Sequence, residues 1–393
     1  MRGQKGRWGL LAVLLASTWL GCGPESGDST PLRIGVIADR DASQGRDTLE
    51  AIELAHRVLL EDGGVERPEG RRPVEIQTAV VATPEEALAA ARQMSLDGIV
   101  ALVGPSISRH AIPVATVADF AQLPMISPKS THPMTTDGKS FAFRVAFTDA
   151  FQGRVLARFA RDRLAVSTVA VLYDAGGDYN RSIAQVFGRE FERRGGVVAE
   201  EVYAPGEVEF AGVLSRLLDH EPELVFLPNY HDEVILQARQ ARALGFLGPF
   251  LGGDGWAPGA LDEPALEGSY FCQHWHPEAT AESSLSRAFV EGFEERFGRP
   301  PNDLAALSYD AIALLFGALA QAPGPSALEV RNTLASTRSF DGVTGRITDD
   351  GRSGNPSKPA LILQIGPAGE LEPFDHSPAP GAAPAGAPEE VPR

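Results

Sequence analysis

Cysteine is nearly absent, with only Cys22 and Cys272 in 393 residues. That leaves no disulfide framework and no Cys-rich zinc module. Positive charge is also short. Lys and Arg number 35 against 52 Asp and Glu, a net charge of −17, and an acidic surface repels nucleic-acid phosphates and anionic membranes. Beyond the first two dozen residues no apolar run reaches the roughly 20 needed to cross a bilayer, which excludes an integral channel or permease. Catalytic signatures are missing: there is no G-x-S-x-G elbow, no G-x-x-x-x-G-K-[ST] loop and no H-E-x-x-H helix. The cluster Gly252-Gly253-Asp254-Gly255 lacks dinucleotide-loop spacing, and Pro258 interrupts the stretch where a capped helix would have to start. Cys272, His274 and His276 alternate as ligands on a strand face would, yet they spread over roughly 13 Å, too far for one ion without a bend. We expect no metal, no cofactor, and a buried thiol at Cys272 on a strand between lobes.

What is present begins with an export signal. Residues 1–21 carry Arg2, Lys5 and Arg7, no acid, and the apolar run Leu10 to Leu15, the pattern of a signal peptide. Leu20-Gly21-Cys22 resembles a bacterial lipobox, with Trp19 where Leu is usual, so Cys22 is the expected acylation site and new N-terminus. Processing there removes three positive charges and makes the chain more acidic. Gly23 replaces the Asp that would favour inner-membrane retention, so the anchor's membrane, inner or outer, stays open. Residues 22–31 read as a polar tether. At the other end, 375–393 is rich in Pro and Ala without periodicity and is expected to be a disordered tail.

Between these ends, short β-branched runs alternate with amphipathic stretches, the rhythm of an α/β chain with mostly parallel sheets. Strands are expected at 32–38, 74–81, 99–103, 168–173, 197–203 and 224–228. Asp47 to Glu61 is expected as a helix with Leu49, Ile52, Leu54, Ala55, Val58 and Leu59 on one broad face, stopped by Gly63-Gly64. Thr83-Pro84-Glu85-Glu86 is a capping box opening a helix to about Met94. Both halves repeat the rhythm, which argues for two similar lobes.

Several blocks together resemble type I periplasmic solute-binding proteins of the branched-chain amino-acid (Leu/Ile/Val) family of ABC importers. They include Leu102-Val103-Gly104-Pro105, Pro124-Met125-Ile126-Ser127-Pro128, Thr148-Asp149-Ala150-Phe151-Gln152-Gly153, Gly177-Asp178-Tyr179, Leu251 to Trp256, and Leu307 to Ala311. The resemblance implies two Rossmann-like lobes joined by three crossovers near 144–148, 268–276 and 344–353. One lobe would take 32–146 plus 275–346, and the other 147–274 plus 347–374. It also implies a site in the cleft, with Ser108 and Thr131 holding a ligand α-carboxylate, Asp254 taking the α-ammonium, and Tyr179 and Tyr230 closing over the ligand.

Two departures stand out. The loop Asp39 to Gly45 lacks the family's aromatic wall. Arg109, His110 and Lys129 bracket the carboxylate subsite and read as solvated loop charges, although one turned inward would call for a second acidic group on the ligand. The implied function is a non-enzymatic, periplasmic, lipid-anchored receptor that captures a small zwitterion, an amino acid, and delivers it to ABC permease subunits. A sensing lipoprotein using the same clamp to regulate a partner is the alternative.

Overall fold

The computed structural model describes residues 30–40, 44–60, 63–68, 70–256, 263–349 and 354–378. The leader, Cys22, most of the tether and residues 379–393 lie outside them. The chain opens with β1 (Leu32–Asp39), α1 (Gln44–Leu59), β2 (Gly64–Val65), β3 (Arg72–Val81), α2 (Pro84–Leu96), β4 (Ala101–Val103), α3 (Ser108–Phe120), β5 (Met125–Ser127) and β6 (Ala142–Arg144). These strands form one sheet in the order β2-β3-β1-β4-β5-β6, parallel except for the β2–β3 pair.

A second body begins with α4 (Asp149–Arg158), β7 (Thr168–Asp174), α5 (Asp178–Arg193), β8 (Val197–Tyr203), α6 (Ala211–Leu218), β9 (Leu224–Leu227), α7 (His231–Ala243), β10 (Phe250–Gly252) and β11 (Tyr270–Gln273). The chain then returns to the first body as α8 (Ser284–Phe297), α9 (Asp303–Gln321), α10 (Ala327–Ser336), β12 (Ser339–Gly342), β13 (Gly345–Asp349) and β14 (Pro356–Ser357). It finishes in the second sheet as β15 (Ala360–Ile365) and β16 (Leu371–Ser377), giving the order β16-β15-β11-β10-β9-β7-β8. Two α/β lobes thus share one chain that passes between them three times, the type I periplasmic-binding-protein architecture.

Local chemistry explains the elements. Thr83 accepts the Glu86 amide at 3.2 Å, while the Glu86 carboxylate reaches back to the Ala82 amide at 2.8 Å, so α2 starts with its orphan donors satisfied. On α1, Ile52 and Ala55 enter the core of the first sheet with Leu307 and Leu315 of α9. Ala51 and Leu54 pack instead against Phe289 and Phe293 of α8. Each large apolar side chain so buried contributes roughly 1.5–3 kcal/mol. Helix α9 is the one described helix long and apolar enough to cross a membrane, and it is mostly buried inside the first lobe.

Three expectations change. Val58 and Leu59 are exposed, at 60% and 43%, because nine residues of helix carry Val58 about 180° round from Leu49. The third passage falls later than 344–353: Ile347 sits in the first lobe's core and β13 pairs with β12 and β14, so the chain crosses only between Ser357 and Ala360. Residues 375–377, assigned by composition to the tail, belong to β16. Phe374 fixes that strand by edge contacts to Phe159 and Tyr270, at ring separations of 5.8 and 5.0 Å.

Gly104 ends β4 at φ +85°, and a Cβ there would lie 2.1 Å from the carbonyl oxygen of Ile37. Gly104→Ala is therefore expected to cost about 3 kcal/mol. A urea titration checks this, by a lower midpoint at unchanged slope.

Candidate functional site

The carboxyl ends of the two parallel sheets face each other, and the loops leaving them carry the polar residues of the cleft. This is where open α/β sheets place ligands. On the first lobe, helix α3 has Ile107 at its N-cap with no side-chain cap of its own. Asp39, at the end of β1, supplies that function: its Oδ2 accepts the amides of Ser106 and Ile107 at 2.7 and 3.1 Å. Ser108 is thus freed from capping. Its buried hydroxyl accepts from Ser130 Oγ at 2.9 Å, and Ser130 also lies 2.7 Å from Thr135 Oγ1. Arg144 grips the loop around Thr131, donating to the carbonyls of Ser130 and His132 at 2.6 and 2.8 Å and to Thr136 Oγ1 at 2.9 Å. Ser108 and Thr131 are held on a rigid lattice at a helix start, where amides point outward and the field favours an anion.

The second lobe presents acids. Asp254 stands just after β10 and is buried; Gln152 donates Nε2 to its Oδ1 at 2.7 Å, and His274 Nε2 lies 3.3 Å from its Oδ2. Burial pushes its pKa upward, but His274, Lys129 and Gln152 outweigh that and hold it below the ordinary carboxylate range. The His274 ring stacks on Phe147 at 3.6 Å. Asp149 opens α4, with its amide donating to the Thr131 carbonyl across the cleft at 2.9 Å. It is fully buried, and its carboxylate oxygens have no well-aligned donor, only the Thr131 and Ser182 hydroxyls beside them. Burial raises it to about 7; nearby Asp254 adds to the rise, while the Thr131 and Ser182 hydroxyls and Arg144 offset it only in part.

Tyr179 accepts the Gly255 amide on its hydroxyl at 3.0 Å. Its ring lies 5.5 Å from that of Tyr230, and the Arg109 guanidinium sits 6.0 Å above the Tyr230 ring from the opposite lobe. The glycines around Asp254 make room for these side chains. A Cβ on Gly253 would lie 2.3 Å from the Tyr179 hydroxyl and 2.6 Å from Gln152 Oε1, and one on Gly252 would strike the Trp256 ring at 2.1 Å.

The five residues expected at the site, Ser108, Thr131, Tyr179, Tyr230 and Asp254, all lie on loops or helix starts at these strand ends. The loop charges require correction: His110 and Lys129 are not solvated. His110 is buried with Nδ1 2.6 Å from Asp39 Oδ1, and Lys129 Nζ lies 3.0 Å from Asp303 Oδ2 with little of its side chain exposed. Only Arg109 remains exposed.

Sequence reasoning missed Asp149, Gln152 and His274 as members of the polar cluster. Asp149 reads as an ordinary first-turn acid and His274 as one of three alternating ligand types; neither signal reveals a partner on another element. Among the described residues no group of three or more His, Cys, Asp or Glu is placed to hold a metal ion, and Cys272 is a buried free thiol.

Residues 31–370 match the family model described as periplasmic binding protein. The leucine-, isoleucine-, valine-, threonine-, and alanine-binding protein of Pseudomonas aeruginosa is 26% identical over 269 residues, 68% of this chain and 72% of that protein. A leucine binding protein of Thermotoga maritima has a similar solved structure, with a TM-score of 0.81 at 30% identity, covering 88% of this chain and 99% of the other. A branched-chain amino acid transporter substrate binding protein of Streptococcus pneumoniae, solved in complex with isoleucine, has a TM-score of 0.79 at 25% identity, covering 89% and 100%.

The Lys129–Asp303 pair predicts a stability effect. Removing one partner of a buried ion pair strands the other charge, so Lys129→Met is expected to cost about 3 kcal/mol. Chemical denaturation of the two proteins measures it, and a loss below about 1 kcal/mol would return Lys129 to the class of solvated surface charges.

Proposed function

The chain belongs to the periplasmic binding protein family of extracytoplasmic solute-binding proteins, and we propose that it captures an α-amino acid between its two lobes for an ABC importer. One observation carries this reading: a lattice of hydroxyls and helix-start amides around Ser108 and Thr131 on one lobe meets the buried carboxylates Asp254 and Asp149 on the other. Such a pair of subsites suits a carboxylate and an ammonium borne on one carbon. Ser108 and Thr131 would donate to the ligand carboxylate, with the α3 N-terminus supplying positive field. Asp254, kept ionised by its own donors, would take the ammonium in a charge-assisted hydrogen bond. Tyr179 and Tyr230 would cover the ligand when the lobes close.

A ligand that contacts both lobes stabilises the closed population by its differential affinity for it, so capture needs no chemistry. The relatives named for leucine, isoleucine and valine support a neutral, branched side chain. We read the protein as a binding component, not an enzyme, that hands its ligand to permease subunits. Cys22 is the proposed acyl anchor to the membrane.

Isothermal titration with leucine, isoleucine, valine and the remaining common amino acids tests the reading. Asp254→Ala is expected to weaken the best ligand about 10- to 100-fold, the worth of one charge-assisted hydrogen bond; unchanged affinity would remove Asp254 from the ammonium subsite. Separately, Cys22→Ser should move the exported protein from the membrane to the soluble fraction, and a variant that still sediments with membranes would exclude the acyl anchor.

A further inference from the structure

Asp254 and Asp149 lie in the same cleft and differ in one respect. Asp254 carries its own donors, Gln152 at 2.7 Å and His274 at 3.3 Å. Asp149 has no well-aligned donor on either oxygen, only the Thr131 and Ser182 hydroxyls beside it, although it is equally buried. We propose that Asp149 makes closure of the two lobes conditional on a positively charged nitrogen in the cleft, and so determines that an amino acid is taken and its analogues lacking an ammonium are not. The proposal rests on the amino-acid reading of the site and adds to it a reason for the selection.

The groups facing Asp149 define its options. From β6, Arg144 is near and its charge partly offsets the burial of Asp149, but its terminal nitrogens are committed to the Ser130 and His132 carbonyls and to Thr136, and its unpaired Nε–H makes no hydrogen bond to Asp149. The loop after β5 offers Thr131, and α5 offers Tyr179 and Ser182. Tyr230 stands at the start of α7. Asp254, from the loop after β10, has the same sign and opposes the charge. His274 is turned to Asp254, and on α4 itself the Gln152 amide nitrogen is spent on Asp254 as well.

An ionised carboxylate closed into this environment is only partly compensated, which costs several kcal/mol. Two routes relieve it. A ligand ammonium, with three donors, pairs with Asp149 while also meeting Asp254. Failing that, the carboxylate binds one proton from solvent and is closed in as the neutral acid. A ligand without an ammonium, such as a 2-hydroxy acid, permits only the second route. The closed carboxyl holds its proton to higher pH than the water-exposed open one, so acid favours closure without a cation. That advantage fades as pH rises through the value burial gives Asp149 in this structure, about 7.

Small-angle scattering of the full exported chain tests this at about pH 8 and about pH 5.5, either side of that value. The protein is measured alone, with L-leucine, and with 2-hydroxy-4-methylpentanoate. We expect the natural protein alone to be extended at the higher pH, compact with leucine, extended with the hydroxy acid, and partly compact alone at the lower pH. Asp149→Asn should be partly compact alone at both pH values. In titrations its preference for leucine over the hydroxy acid should fall at least about tenfold.

If Asp149→Asn stays as extended and as pH-sensitive as the natural protein, or keeps its full preference, the proposal is overturned. Asp149→Ser, read the same way, serves if the Asn variant does not fold by circular dichroism. If leucine fails to compact the natural protein while the neutral variants close unaided, the leucine reading falls and the gate at Asp149 stands.

Discussion

A carboxylate taken out of water must be met by donors or by a cation, and that constraint organises the middle of this molecule. Asp39, Asp149, Asp254, Asp303 and Asp310 are all buried at or near the facing ends of the two lobes. Four are met by the protein itself. Asp39 is met by the Ser106 and Ile107 amides just before α3 and by His110, and Asp254 by Gln152 and His274. Asp303 has Lys129 and the His274 amide, while Asp310 takes the Val343 and Thr344 amides and the Thr344 hydroxyl. Each solution ties together segments far apart in the chain, so the acids set the geometry of the loops as much as the strands do. Asp149 is the one of the five whose carboxylate has no well-aligned donor.

The same residues tie the site to the passages between lobes. Asp149 stands just after the first passage, five residues beyond β6, and its amide is held by Thr131 of the opposite lobe. His274 stands in the second, immediately after β11, with its ring on Asp254 and its amide on Asp303. Lys358 lies in the third, buried, donating to Thr344 at 2.7 Å beside Asp310, and its desolvation lowers its pKa to about 8. A rotation of one lobe against the other must therefore rearrange buried charges. This arrangement favours a few discrete positions over continuous flexing.

How much of this was legible in the sequence depends on the range of each interaction. The six strands named from periodicity and the α2 capping box are local signals, and they lie within a residue or two of where periodicity puts them, while the remaining strands, such as β5, β10 and β15, are not singled out by it. Ser108, Thr131 and Asp254 are proposed from the motifs around them, and the structure places each at the carboxyl end of a strand. The partners could not: Asp39 and His110 are 71 positions apart, and Gln152 and Asp254 are 102 apart. No local pattern distinguishes an acid that will be buried from one that caps a helix. Asp149 shows this most clearly, since an acid in the first turn is ordinary in any solvated helix. For the same reason His110 and Lys129 read as loop charges, when each is half of a buried pair.

Those two pairs bear on the ligand. A second acidic group would need a cation with spare donors inside the cleft, because an unmatched buried charge is not tolerated. Lys129 is matched by Asp303 and His110 by Asp39, and Arg144 donates both terminal nitrogens to carbonyls and Thr136, keeping only its Nε–H unpaired. Arg109 is exposed and lies over the Tyr230 ring, a position at the rim that a closing lobe covers with an aromatic face. Beyond those pairs, the inner surface carries, among the described residues, two buried acids, Asp149 and Asp254, against one cation, Arg144, whose terminal nitrogens are already bonded. A dicarboxylate would therefore meet like charge at Asp149 and Asp254, whereas a zwitterion with a neutral side chain brings the single positive charge that the site lacks.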